Sequence, residues 1–236
     1  MAKMLPVPAR AEMKALAHAA LAHAQQQLDR AQLLLDNRDW PGAYATATLA
    51  FEEVGKAVLC TVGMSIPARF QVNDWFWQAF NHHEPKITIA RFVLTLFTAA
   101  GTPSQPFEQA IEDLGVSAAA DNETKFRALY VGYRDGSVLQ PADVGEQEAL
   151  GMIDNVRRCL DVLVLFNNDT EFAGEMEAFM AIAANAIETL IDSPEVNGLA
   201  FMQGIWDAAH EAGPPKPPWE LIPGLIPPPG RGASAG

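Results

Sequence analysis

The chain has 236 residues, of which 49% are hydrophobic, and it carries a formal net charge of −13. This length allows one large domain or two small ones, each with a substantial core. The acidic balance opposes non-specific adhesion to nucleic acid or to anionic lipid, so any RNA contact has to come from a local basic patch.

Cysteine usage and targeting signals point to a cytoplasmic protein. Cys60 and Cys159 have no CxxC motif or Cys/His cluster beside them, so we expect two free thiols and no zinc site or disulfide framework. The N-terminal region carries charged side chains where a secretory signal needs an apolar run: Lys3, Arg10, Glu12 and Lys14. No uninterrupted apolar run reaches the roughly 20 residues needed to span a bilayer. We predict a cytoplasmic protein with no membrane partner, no metal and no cofactor.

The first two predicted helices form an antiparallel pair. Residues 10–36 carry apolar side chains close to the helical period, at Leu16, Ala20, Ala24, Leu28, Ala31 and Leu35. A polar turn follows at residues 37–39, and Pro41 suits the first turn of a second helix that runs to about residue 61. The inner stripe of the second helix is made of small side chains, which allow a close helix pair: Ala43, Ala47, Ala50, Val54 and Ala57.

The middle of the chain is predicted to be helical as well, with two interruptions. We expect Asp74 to cap a third helix and Glu84-Pro85 to kink or restart it, because proline removes a hydrogen bond and clashes with the preceding turn. The restarted helix is expected to end near residue 99. Asn122 is expected to cap another helix through residue 133, ended by Asp135-Gly136, and no strand with clean alternation is evident.

The C-terminal part is predicted to be a helical hairpin followed by a tail. Residues 143–166 and 171–191 form the hairpin, the first with a stripe that includes Leu150, Ile153 and Leu160, and a short helix follows at residues 195–211. From Gly213 the chain is rich in proline, which favours polyproline II, yet it retains apolar residues such as Trp219. Docking of this tail on its own domain, docking on a partner and disorder are all open.

Candidate chemistry begins on the second helix. Glu52 and Glu53 lie four and three residues before Lys56, so either carboxylate can meet the lysine on the helix surface. One interpretation is a surface ion pair that contributes a few tenths of a kcal/mol. The other is that two carboxylates and a lysine at a packed helix edge organise a site.

A second candidate is the segment His82-His83-Glu84-Pro85-Lys86. Lys86 lies near the start of the restarted helix, where a cation opposes the helix dipole and a bound anion would remove the conflict. A neighbouring histidine, His82 or His83, could then serve as general acid or base. This combination predicts a site for an RNA or nucleotide phosphate, although a histidine beside an aromatic stripe also fits a structural role.

The third candidate is the segment from Lys125 to Gly136. Arg127 and Arg134 are interleaved with Tyr130 and Tyr133, a pattern that can hold phosphate and stack a base. A solvated basic edge with half-buried tyrosines fits the pattern equally well. There is no P-loop, GxGxxG, GxSxG or HExxH, which argues against common nucleotide hydrolases, dehydrogenases and serine hydrolases.

These three motifs, in this order, resemble those of the AbiV family of abortive infection proteins in the HEPN superfamily. Residues 43–56 look like the second helix of that family, which ends in Glu-Glu-x-x-Lys. The segment His82 to Lys86 resembles the family's His-plus-Lys segment. The segment Lys125 to Gly136 resembles its Lys/Arg followed by Leu-Tyr-Val motif. The resemblance covers about residues 10–190. It implies a HEPN-like antiparallel helical bundle, often dimeric, that acts in phage defence.

Many HEPN proteins are metal-independent ribonucleases that carry Arg followed a few residues later by His, and this chain lacks that spacing. The resemblance therefore leaves open whether the chain is an enzyme. The leading hypothesis is a defence protein that binds RNA or nucleotide and cleaves RNA without metal. Its predicted catalytic residues are His82, His83, Glu53 and Lys56, and its phosphate- or RNA-binding residues are Lys86, Arg127, Tyr130 and Arg134.

In that hypothesis Glu52 or Glu53 orients a histidine or lysine, and a homodimer brings two sets of residues together. The alternative is a non-catalytic helical binding module that senses or sequesters a phage or toxin protein. The expected organisation is all-α: an extension at residues 1–9, the HEPN/AbiV-like domain at 10–192, a short C-terminal helix at 193–212 and a Pro-rich tail at 213–236.

Overall fold

The structure, a computed structural model, describes residues 5–6, 10–65, 71–72, 79–98, 107–134 and 136–168. The long helices in these ranges are α1 (Arg10–Asp36), α2 (Trp40–Ser65), α3 (His83–Thr98), α4 (Phe107–Leu129) and α5 (Glu146–Asn168). The all-α prediction is confirmed. The predicted helices at residues 171–191 and 195–211 and the Pro-rich tail lie outside the described residues.

The turn between α1 and α2 folds the two helices back on one another. Arg38 adopts a left-handed conformation with φ 62°, and the amide of Asp39 donates to the carbonyl of Leu34 while that of Arg38 donates to Leu35, which closes the end of α1. The Asp39 carboxylate then accepts from the amide of Gly42 and caps α2. The predicted polar turn and the place of Pro41 in the first turn of α2 are both confirmed.

Helix α2 is the central element, because it packs against α1, α3, α4 and α5. Its predicted small-residue stripe is buried throughout, and the neighbouring Phe51 is fully buried too. The stripe predicted on α1 is buried or half-buried from Ala20 onward, but Leu16 is exposed, and Met13 and Ala17 turn inward instead. Because α2 is surrounded on several sides, most of its side chains, polar as well as apolar, are drawn into contacts with other helices.

Helix α3 begins one residue before the predicted break. His82 is not helical and His83 is the first residue of α3, so the proposed restart is confirmed but its position at Glu84-Pro85 is corrected. Pro85 falls in the first turn, where its missing N–H would have no helical partner anyway. Lys86 therefore stands in the first turn of α3, as the sequence predicted.

Helix α4 contradicts the prediction that a helix begins at Asn122 and runs through residue 133. It runs without a break from Phe107 to Leu129, and a β-hairpin follows, in which β3 (Gly132–Arg134) pairs with antiparallel β4 (Ser137–Leu139). Gly136 has φ 81°, a left-handed conformation that glycine adopts without strain, so it permits the tight turn. The expectation of no strand is likewise corrected by this hairpin.

The remaining elements complete the frame around α2. A second short antiparallel pair joins β1 (Leu5–Pro6) to β2 (Gln71–Val72), and a 3-10 turn at Pro141–Asp143 leads into α5. Ile153 and Leu160 of α5 are buried as predicted, whereas Leu150 is exposed. Within the described residues no helix is long and apolar enough to cross a bilayer.

Candidate functional site

The carboxylate of Glu52 is the centre of a charged cluster between α2, α3 and α4. Glu52 is only 3% exposed. One of its oxygens accepts a hydrogen bond from Lys125 Nζ at 2.7 Å, and the other lies 2.7 Å from His83 Nδ1 and 3.4 Å from Lys86 Nζ. Three side chains from two other helices therefore share one buried carboxylate.

The cluster keeps Glu52 ionised. Burial alone would raise the pKa of this carboxyl group, but hydrogen bonds from Lys125 and His83, together with the positive charges beside it, outweigh burial. They hold the pKa of Glu52 below its ordinary value of 4.5. At neutral pH the group is therefore a carboxylate, and the imidazole Nδ1 of His83 is the donor in their hydrogen bond.

A glycine lets α3 come close enough for this contact. A Cβ on Gly55 would lie 2.0 Å from the carbonyl oxygen of Lys86, so the backbones of α2 and α3 nearly touch at this point. Gly55 stands three residues after Glu52, less than one helical turn away. The close approach places the first turn of α3, and with it His83 and Lys86, directly over Glu52.

A second polar cluster joins the same three helices. Arg91 of α3 is paired with Asp121 of α4 at 2.6 Å, and the hydroxyl of Tyr44 on α2 donates to the same carboxylate at 3.3 Å. Burial, and after it the Asp121 carboxylate, raises the pKa of Tyr44, which keeps its hydroxyl protonated as a donor. Asp121 is thus held from two sides.

The two clusters form one continuous polar seam. Tyr44 and Glu52 are eight residues apart on α2, and Asp121 and Lys125 are four apart on α4, so each pair lies on one helix face. On α3 the order is reversed, because His83 and Lys86 meet Glu52 while Arg91 lies at the Tyr44 end, which shows that α3 runs antiparallel to α2 and α4. Thr48, between Tyr44 and Glu52, is buried and donates to the carbonyl of Tyr44.

An aromatic edge borders the open side of the Glu52 cluster. The His83 side chain is 46% exposed and its ring meets that of Phe126 edge to face, with centroids 6.1 Å apart. Phe126 stacks on Tyr130, with centroids 6.3 Å apart and planes at 24°. Between these residues in sequence, Arg127 is half-buried, and its Nε has no hydrogen-bond partner among the described residues.

The structure separates the sequence-predicted residues into two groups. His83, Lys86 and Tyr130 belong to the Glu52 cluster or to its aromatic edge, and Arg127 stands in the same turn of α4 as Phe126. Glu53 and Lys56 lie elsewhere on α2: they pair with each other at 2.5 Å, and Glu53 also faces His23 of α1 at 3.9 Å.

Two predicted residues remain outside this grouping. His82 is exposed and precedes α3, whereas His83 is the histidine that reaches Glu52. Arg134 lies on β3, because the chain leaves the helix at Leu129. Arg127 and Arg134 therefore do not share a helix, because the helix that was predicted to run through residue 133 ends at Leu129.

Lys125 was not predicted as a site residue, although it begins the third motif. Lys125 is 2% exposed and bonds to Glu52. The available signal was its register, because Ala118, Asp121, Lys125 and Ala128 repeat at helical spacing and are all buried. Charged residues inside such a stripe indicate a buried polar contact. Among the described residues, no group of three or more potential metal ligands is found.

The fold and the seam define an all-helical bundle with a buried charged centre. A family model described as AbiV, of the HEPN group, matches residues 12–161, which is more than half of the chain. The chain therefore belongs to the AbiV family, which confirms the resemblance and implies a role in abortive infection, a form of phage defence. Searches of curated proteins and of solved structures returned no match.

Proposed function

We propose that this AbiV protein acts in phage defence by binding RNA or nucleotide phosphate at the Glu52 cluster, with His83 as the general acid or base of a metal-independent ribonuclease. The observation that carries the proposal is the contact between half-exposed His83 and buried Glu52. Because Nδ1 of His83 donates a hydrogen bond to the Glu52 carboxylate, Nε2 is the ring nitrogen that can exchange a proton with a ligand.

Glu52 has a positioning role in this proposal. A carboxylate that accepts from Nδ1 fixes the tautomer and the orientation of an imidazole and stabilises the imidazolium formed when the ring takes up a proton. Of the two adjacent carboxylates, Glu52 supplies this contact and Glu53 does not. Glu53, Lys56 and His82 are therefore left out of the proposed site.

Charge at the centre favours an anionic ligand. Lys86 and Lys125 share the single carboxylate of Glu52, so the cluster retains one positive charge in excess even when His83 is neutral. Both ammonium groups are buried, where electrostatic interactions are stronger than in water. A phosphate at the exposed edge would balance this charge. The site is thus a local exception to the acidic net charge of the chain.

The proposal is tested with purified full-length protein and single-stranded RNA in the presence of EDTA. His83→Ala is expected to lower the cleavage rate about 10²- to 10⁴-fold, the usual contribution of general acid–base catalysis. His82→Ala is the matched control, because it removes an exposed histidine next in sequence, and it should retain activity. Equal rates for the two variants, or no cleavage and no RNA binding by the unmodified protein, would refute the proposal.

A second function, a module that binds a phage protein without catalysis, is favoured by a separate observation. The β3–β4 hairpin and the residue before it expose apolar side chains, among them Val131, Tyr133 and Val138. Exposed apolar patches of this kind mark interaction surfaces. Protection lost on Val138→Ser but kept on His83→Ala would favour this function over the ribonuclease. A homodimer, which would bring two Glu52 clusters together, is a further proposal that light scattering of the full chain tests.

A further inference from the structure

We infer that Phe126 and Tyr130 form a stacking subsite for one unpaired nucleobase beside the phosphate centre, an inference that rests on the proposed function. The two rings lie four residues apart at the end of α4 and stack on each other. Their exposed fractions are 43% and 62%. Aromatic rings that are rigidly placed and open to solvent are the surfaces on which proteins stack bases.

The position of the pair selects a nucleotide over other aromatic or apolar ligands. The ring of Phe126 meets that of His83 edge to face, and Lys125 Nζ lies 4.8 Å from the Phe126 centroid, so the platform stands directly beside the buried lysine that contributes to the excess positive charge. A protein ligand would need the apolar surface but not the buried cations. A nucleotide supplies both a flat base and an anionic phosphate, joined by a short linker.

The subsite also restricts the form of the nucleic acid. A base can lie on Tyr130 only when it is unstacked from its neighbours and unpaired, as in loops and single strands. Stacking does not require hydrogen bonds to the edge of the base, so the subsite should accept all four bases. Bases that stack more strongly should bind more tightly. Duplex RNA presents its phosphates but not its base faces, and it should bind more weakly than the same strand unpaired.

Abasic RNA separates stacking from phosphate binding, because it keeps every phosphate and loses the bases. The probe is a short fluorescent oligoribonucleotide, compared by anisotropy with the same oligomer built of abasic residues, on the full-length protein. The intact oligomer is expected to bind about five- to a hundredfold more tightly, the usual effect of stacking one base. Tyr130→Leu should abolish that difference, whereas Tyr130→Phe, which keeps a ring of the same shape, should retain it.

The outcomes distinguish the subsite from the function on which it rests. If neither oligomer binds, the proposed function fails and the subsite with it. If both bind equally well to the unmodified protein, RNA binding stands and the subsite is refuted. Equal losses in Tyr130→Leu and Tyr130→Phe also refute it, because the hydroxyl rather than the ring would then be responsible. Loss of phage protection in Tyr130→Leu with unchanged RNA binding would assign the surface to a protein partner.

Discussion

Replacement of Glu52 by glutamine tests the charged cluster most severely. The change keeps the shape of the side chain and removes its charge, which leaves Lys125 and Lys86 without a counterion in a buried position. At an effective dielectric constant of about 20, the attraction of a carboxylate to a charge at 2.7 Å is roughly 6 kcal/mol and at 3.4 Å roughly 5 kcal/mol. Much of this is offset by the several kcal/mol needed to desolvate each ion.

The net loss expected for Glu52→Gln is about 3–5 kcal/mol, as for other buried pairs that lose one partner. Lys125→Met should cost less, about 1–2 kcal/mol, because Glu52 still has Lys86 and His83 beside it. The carboxylate should therefore be more costly to remove than either lysine. Simultaneous replacement of Glu52 and Lys125 should cost less than the sum of the two single changes.

Urea unfolding of the full chain, followed by far-ultraviolet circular dichroism, measures these differences. Urea is preferred to guanidinium because it does not screen charges. The matched control is Glu53→Gln, one residue along, where the half-buried pair with Lys56 on the same helix should contribute about 1 kcal/mol or less. Equal small effects of Glu52→Gln and Glu53→Gln would refute the reasoning, as would a loss for Lys125→Met larger than that for Glu52→Gln.

Three further predictions concern pH and backbone. Because the pKa of Glu52 is lower in the folded than in the unfolded state, the stabilisation by its carboxylate is present above about pH 4.5 and is lost as the pH falls through the folded pKa. In thermal melts, the difference in melting temperature between the unmodified protein and Glu52→Gln should therefore close in acid. A difference that stays constant with pH would contradict this. Gly55→Ala should lower the free energy of unfolding in urea by about 1–3 kcal/mol, because the new Cβ meets the carbonyl of Lys86. The control Gly151→Ala, which has open space around it, should raise that free energy by about 0.5–1 kcal/mol. Equal effects of the two variants would contradict the close approach of α2 and α3. Arg38→Gly should raise the melting temperature slightly, since glycine relieves a left-handed conformation, and a lower value would argue against that turn.

The helical frame was predictable because local rules decide it. The bounds of α1 agreed with the prediction at both ends, since apolar periodicity and a polar turn coincide there. The small-residue stripe of α2 was predictable for the same reason. The start of α4 was not predictable in this way, because Asn122 looks like a helix cap in isolation. In the structure it lies mid-helix, close in sequence to Asp121 and Lys125, whose partners are on other helices.

The site was predictable only in part. The predicted start of α3 pointed to Lys86 and to a neighbouring histidine, His82 or His83, since a cation near a helix start is a local anomaly. No local sequence signal shows that Glu52, rather than Glu53, belongs to the site. Helix α2 is surrounded on several sides, so the helix face of each glutamate meets another helix. That choice depends on the approach of α3 at Gly55, a tertiary contact that periodicity does not encode.

The most direct test of the account is phage plating on cells that express the full-length protein, its His83→Ala variant or its His82→Ala variant. Circular dichroism and soluble yield confirm that each variant is folded. His83→Ala is expected to lose protection and His82→Ala to keep it, because His83, and not His82, contacts Glu52. Full protection by His83→Ala would contradict the central claim that the Glu52–His83 cluster is the working site.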